Sequence, residues 1–220
     1  MGKNIRSTSW ISGSLFCLTM AAAPAFSQNF YFNADAGGTI AKDVNLRSFF
    51  GATPGEKVKF DPGVRFGAAG GYNFCPIGGI EFETGFMHNT VRRLGSGTGN
   101  GDAELSHVPL MANLVLRYDQ GNCPVIPYIG AGAGGDISVV NLDHVTFNSV
   151  FADGSDATIQ FAWQAFGGLR YKLNDKMSVG ASYKYYRTDP ASWEFAGVKD
   201  GIQIGRSEVH GFMVEFNMKF

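Results

Sequence analysis

From residue 30 onward, apolar and polar side chains alternate one for one. In FYFNADAGGTI, Phe30, Phe32, Ala34, Ala36, Gly38 and Ile40 share one parity, against Tyr31, Asn33, Asp35, Gly37 and Thr39. A period of two marks a β-strand with one apolar face. The alternation recurs in VRFGAAGGYNF, IEFETGF, VPLMANLVLRY, IQFAWQAFGGLRYKL, MSVGASYKYY and the closing HGFMVEFNMKF. VIPYIGAGAGG is strand-like, with an ambiguous facing. These segments predict eight strands, close to the roughly 9–11 residues that a tilted membrane strand needs. No helix of useful length is expected between them.

The connections alternate strictly. Short ones sit around Cys75–Gly78, Gln120–Pro124 and Asn174–Asp175, and long ones run about Ala41–Asp61, Arg92–Ala103, Asp136–Ala157 and Asp189–Gly205. Short turns on one rim and long loops on the other predict an all-β fold, an eight-stranded antiparallel up-and-down transmembrane β-barrel. Phe30 or Tyr31, Tyr72, Phe74, Phe82, Tyr118, Tyr128, Tyr171 and Phe220 fall at the short-turn ends. They predict an aromatic girdle at a membrane interface, with the apolar parity facing lipid. The competing arrangement is a soluble, ligand-carrying barrel with the apolar parity inward. It explains neither the girdle nor a last strand that runs to Phe220.

Composition narrows the classes. The 220 residues carry a net charge of -1, without the basic balance of a nucleic-acid binder. Gly (30) and Phe (19) are abundant and charged residues make up 17%, yet the body of the chain has no apolar run long enough for a membrane helix. Lys3 and Arg6, the apolar ISGSLFCLTMAAA, and small Ala25 and Ser27 predict a secretory signal peptide over 1–27, cleaved after Ser27 or after Ala25. The barrel domain then spans 28–220. Cys75 and Cys123 remain, and in an exported chain they predict one disulfide between neighbouring short turns. Free thiols or a bond to a partner are the alternatives.

FAWQAFGGLRYKLNDKMSVGASYKYY followed by EVHGFMVEFNMKF resembles the eight-stranded OmpA-type and opacity-like outer-membrane β-barrel family over roughly Gln28–Phe220. The resemblance implies residence in a Gram-negative outer membrane. It also implies a C-terminal aromatic strand read by the insertion machinery, carried here by Phe216, Met218 and Phe220. The chain stops at the barrel, so the peptidoglycan-binding domain of larger OmpA proteins is not expected.

The inward parity collects Asp35, Arg65, Glu81, Glu83, Arg117, Arg170, Lys172, Lys184, Glu215 and Lys219. An eight-stranded barrel has an interior only wide enough for side chains, so these charges predict a paired network filling the lumen, with a narrow ion path as the alternative. Gly130, Gly132 and Gly135 match a dinucleotide-binding spacing, but no helix follows to hold a pyrophosphate. His88, His107, His144 and His210 have no serine at i±2 that would set nucleophile and base on one strand face, as in a lipid A-hydrolysing barrel. Asp153 and Asp156 in DGSD are weak cation ligands. Trp193 and Phe195 would either form an adhesive contact or pack back onto the barrel.

These readings predict no catalytic, cofactor or metal site. They predict a monomeric structural or surface-interaction protein that contacts outer-membrane lipid and a host or cell-surface ligand through its long loops. A narrow channel for small solutes is the second reading and a lipid A-modifying enzyme the third.

Overall fold

The computed structural model describes residues 29–49, 57–94, 100–119, 121, 123–147, 150–194 and 201–220. The expected signal peptide lies outside them. Among the described residues there are twelve strands: β1 (Phe30–Ala41), β2 (Val44–Phe49), β3 (Lys57–Phe60), β4 (Gly63–Cys75), β5 (Gly78–Leu94), β6 (Asn100–Arg117), β7 (Val125–Phe147), β8 (Val150–Lys172), β9 (Met177–Thr188), β10 (Ala191–Trp193), β11 (Ile202–Ile204) and β12 (Glu208–Lys219). Eight of them form a closed antiparallel ring in the order β1, β4, β5, β6, β7, β8, β9, β12. The ring shuts where β1 meets β12, from Tyr31 opposite Lys219 to Ala41 opposite Val209. Closure matters because a strand edge left unpaired in hydrocarbon costs several kcal/mol per group.

The ring turns its apolar parity outward. Ile159, Phe82 and Val214 are 75%, 69% and 69% exposed, a distribution that only lipid makes favourable. The opposite parity is buried and polar.

Four short strands add an upper storey. β3 pairs with the far end of β5, β2 with β3, β11 with β2 and β10 with β11. β10 lies against β8, so this flap and the prolonged β5–β8 enclose a second space above the ring. Its interior is apolar: Val44, Leu46, Phe49, Val58, Leu105, Val140, Leu142, Trp193, Ile202 and Ile204 are all buried together. The outward side chains there include Asn45, Arg47, Lys57, Lys59, Ser192 and Gln203.

Polarity therefore inverts between storeys. On β6, Ala103 and Leu105 point inward, whereas Leu110, Leu114 and Leu116 point outward at 45–52% exposure. The pairing of β6 with β7 keeps its step from Ala103 through Arg117. The backbone parity is unbroken and the residue types change sides. Lipid outside demands an apolar surface over a polar filling, and water outside demands the reverse.

This corrects the expected long loops. The stretch Asp136–Ala157 is mostly strand, since β7 and β8 each run 23 residues. Parts of the first and last long loops are strands β2, β3, β10 and β11. Trp193 is not a surface residue: it is 1% exposed and central to the upper core. Phe195 lies outside the described residues. Tyr31 and Tyr128 leave the expected girdle, because their parity takes them inside at 2% and 3% exposure. Phe30, Tyr72, Phe74, Phe82, Tyr118 and Tyr171 do face outward.

Candidate functional site

Strand parity places all ten predicted lumen charges on the inner face, and the structure sorts them into tiers. At the short-turn mouth, Lys172 and Lys219 both reach Asp119, the latter at 3.6 Å. Partial burial pushes the Asp119 pKa up, but the two ammonium groups outweigh it and hold the carboxyl below its usual range. Above them, Glu215 accepts from Tyr128 Oη, from Ser182 Oγ at 2.6 Å and from Arg170 Nε at 3.2 Å. Arg170 also lies over the Tyr128 ring, 4.1 Å from its centroid.

The middle tier is a carboxylate hub. Glu83 accepts from Arg65, from Lys184 Nζ at 2.7 Å, and from Asn113 Nδ2 and Gln164 Nε2 at 2.7 Å each. Asp35 lies 3.3 Å from Lys184 Nζ and 3.7 Å from Arg65 Nε. Two acids thus face two bases. Buried charges are tolerable only when paired and hydrogen-bonded in this way. Glycines on the neighbouring strand give the side chains room: a Cβ on Gly130 would meet the Phe166 ring, and one on Gly132 would meet Asn113. Close approach, rather than nucleotide binding, accounts for GAGAGG, which lies wholly within β7.

The top tier was hidden in the sequence. Asp136 Oδ1 accepts from Tyr186 Oη at 2.7 Å, and its Oδ2 accepts from Ser138 Oγ at 2.6 Å and Gln160 Nε2 at 3.0 Å. His107 Nδ1 lies 2.6 Å from Asp136 Oδ2 and 2.9 Å from Ser138 Oγ. Trp193 Nε1 donates to the Ser138 carbonyl at 3.1 Å, tying this tier to the apolar core above. Sequence reasoning placed Asp136 and Ser138 in a long loop. The alternation of Asp136, Ser138, Val140 and Leu142 was the available signal.

Serine, histidine and aspartate do meet here, but not as a hydrolase needs them. A triad sets the acid and the nucleophile on opposite imidazole nitrogens, whereas both contact Nδ1 of His107. Asp136 and Ser138 are also 0% exposed, out of reach of a lipid or peptide. The other histidines scatter. His88 bonds Ser106 at 3.0 Å and His210 bonds Tyr183 at 2.5 Å on the outer surface. His144 gathers with Asp143 and Asp153 at the exposed β7–β8 tip, within 4.8 Å of one another. Asp156 is engaged elsewhere, accepting from the Glu194 amide at 2.8 Å.

The expected disulfide is not formed. Both thiols are free, and Cys75 Sγ lies 3.8 Å from the Gly78 carbonyl. Cys75 ends β4 and Cys123 precedes β7, with β5 and β6 between them. Steps of about 4.8 Å per strand take the pair well beyond disulfide reach. Phe216 and Met218 face outward on β12, and the Phe220 amide donates to the Phe30 carbonyl at 3.1 Å across the closing seam.

Comparison with known proteins matches residues 13–220 to the family model described as outer membrane protein beta-barrel domain. No curated protein sequence matches the chain. Among solved structures, the outer membrane protein OprG of Pseudomonas aeruginosa is 18% identical with a TM-score of 0.56, over 88% of this chain and 97% of that one. Neisserial surface protein A is 16% identical with a TM-score of 0.53, over 87% and 97%. The Escherichia coli outer membrane protease OmpT is 9% identical with a TM-score of 0.52, over 89% and 98%. At these identities the likeness is one of fold.

Proposed function

The chain belongs to the outer membrane protein beta-barrel domain family and resides in the bacterial outer membrane, and from that premise we propose that it is a closed, non-catalytic anchor presenting a folded extracellular platform for surface contact. The observation that carries this reading is the double seal of the lumen. The Glu83 hub fills the ring with four direct donors, and the apolar core around Trp193 closes the space above it. Residues 1–27 serve as the export signal, removed on secretion. Phe216, Met218 and Phe220 form the strand end recognised by the insertion machinery. The closed ring leaves no edge in the membrane, in keeping with a monomer.

Planar-bilayer recording of refolded protein tests the reading. The closed lumen predicts silence at voltages where a narrow channel gives discrete steps. A steady unit conductance that disappears on mutating the hub would replace the anchor by a channel.

A further inference from the structure

Arg117 ends β6 at the short-turn mouth and is 7% exposed, yet its Nε and Nη2 have no hydrogen-bond partner among the described residues. It forms no ion pair there either. The Tyr31 ring covers the guanidinium, 4.8 Å from its centre, and the edge that carries Nε and Nη2 is itself buried without a partner. Nε–H and Nη2–H lie on the same edge of the fork. That edge takes a carboxylate or phosphate through two parallel bonds.

The surroundings suit an anion. Arg117 and Asn73 line a cavity of about 680 Å³ at the mouth, together with Lys172, Lys219, Asp119 and Asp175. Asp119 is already held by both lysines. Three bases therefore face two acids, one of them engaged. A Cβ on Gly79 would stand 2.8 Å from Nη2 and 2.9 Å from Asn73 Oδ1, so any side chain there would crowd the edge. Asn73 Oδ1 is also unpartnered among the described residues and offers an acceptor for a ligand hydroxyl. Glu81 is the buried acid that would compete for the edge, and no ion pair joins it to Arg117.

We propose that the periplasmic mouth binds one carboxylate or phosphate group, gripped side-on by Arg117 and drawn in by Lys172 and Lys219. The site is independent of the surface role, since it lies at the opposite end of the barrel. Its test is an NMR titration of the refolded full barrel in nanodiscs with inorganic phosphate or acetate, at constant ionic strength set with sodium chloride. The expected result is a saturable shift of the Arg117 Nε–H and Gly79 amide signals. Arg117→Lys, which keeps the charge but loses the fork, weakens binding about tenfold, and Arg117→Gln abolishes it. Both variants are first checked for an unboiled gel shift. Saturation by phosphate alone assigns a phosphate ligand, and saturation by acetate a carboxylate. If the response appears in phosphatidylcholine but not in phosphatidylglycerol nanodiscs, the phosphate comes from a lipid headgroup. Linear shifts without saturation, or equal binding by Arg117→Gln, would overturn the proposal.

Discussion

Replacing Glu83 with alanine destabilises the barrel by about 3–5 kcal/mol, the cost of removing one partner from a buried ionic cluster. Arg65 and Lys184 are each at least nine-tenths buried, and Glu83 is the acid that both share at close range. Asp35 remains, but its contacts at 3.3 and 3.7 Å are longer, and it cannot neutralise two bases. Asn113 loses its acceptor as well, and Gln164 keeps only Asn113 Oδ1. Glu83→Gln is milder, because it keeps the volume and an amide oxygen. The exposed Lys42–Glu208 pair is the control. At 56% and 27% side-chain exposure it is screened by water, so Glu208→Ala shifts stability little. Urea titration of the refolded protein, read by the mobility of the unboiled band, separates the three variants. A Glu83→Ala midpoint equal to that of Glu208→Ala would mean that the hub does not hold the lumen together.

Trp193→Ala removes about 3–5 kcal/mol from the upper storey, with a different outcome. Trp193 fills the centre of the upper apolar core and ties it to the Ser138 carbonyl. The lower ring closes through β1 and β12, which make no part of that core. The variant therefore opens the flap and leaves the membrane ring intact. Protease added outside liposomes should cut the variant within 189–205 while the unboiled band still shifts. The parent protein should resist. If Trp193→Ala also loses the gel shift, the storeys fold as one unit and the flap is not separable.

Alternation made the ring legible from the sequence, because the lipid-facing parity repeats on every strand of the ring, from Phe30–Ile40 on β1 to Phe212–Met218 on β12. The ten charges of the lumen followed from the same parity. Four things did not follow. Tyr31 was assigned to the girdle by height alone, although its parity already placed it inside, beneath Arg117, and Tyr128, which lies beneath Arg170, came from the segment whose facing was ambiguous. The upper storey was read as loops because a fixed apolar parity was carried outward past the membrane, where water reverses the requirement. Ala103 and Leu105 on β6, and Val140 and Leu142 on β7, show that reversal. The tier around Asp136 was missed for the same reason, since it stands where the reversal takes place. Free Cys75 and Cys123 reflect a simpler slip: neighbouring strands were taken for neighbouring turn ends, while two strands separate the thiols.

The central claim is that β6 keeps its parity while its lipid and water faces trade residue types. Single cysteines at Glu104, Leu105, Leu110, Ala112, Asn113 and Leu114, in a background with Cys75 and Cys123 changed to serine, test it directly in liposomes. Each site is probed with a water-soluble thiol reagent added outside and with a bilayer-embedded quencher of a thiol-attached fluorophore. The account predicts that Glu104 answers to water, that Leu110, Ala112 and Leu114 answer to lipid, and that Leu105 and Asn113 answer to neither. Water labelling at Leu105 equal to that at Glu104 would contradict it, because the upper storey would then be solvated loop and not a closed apolar core.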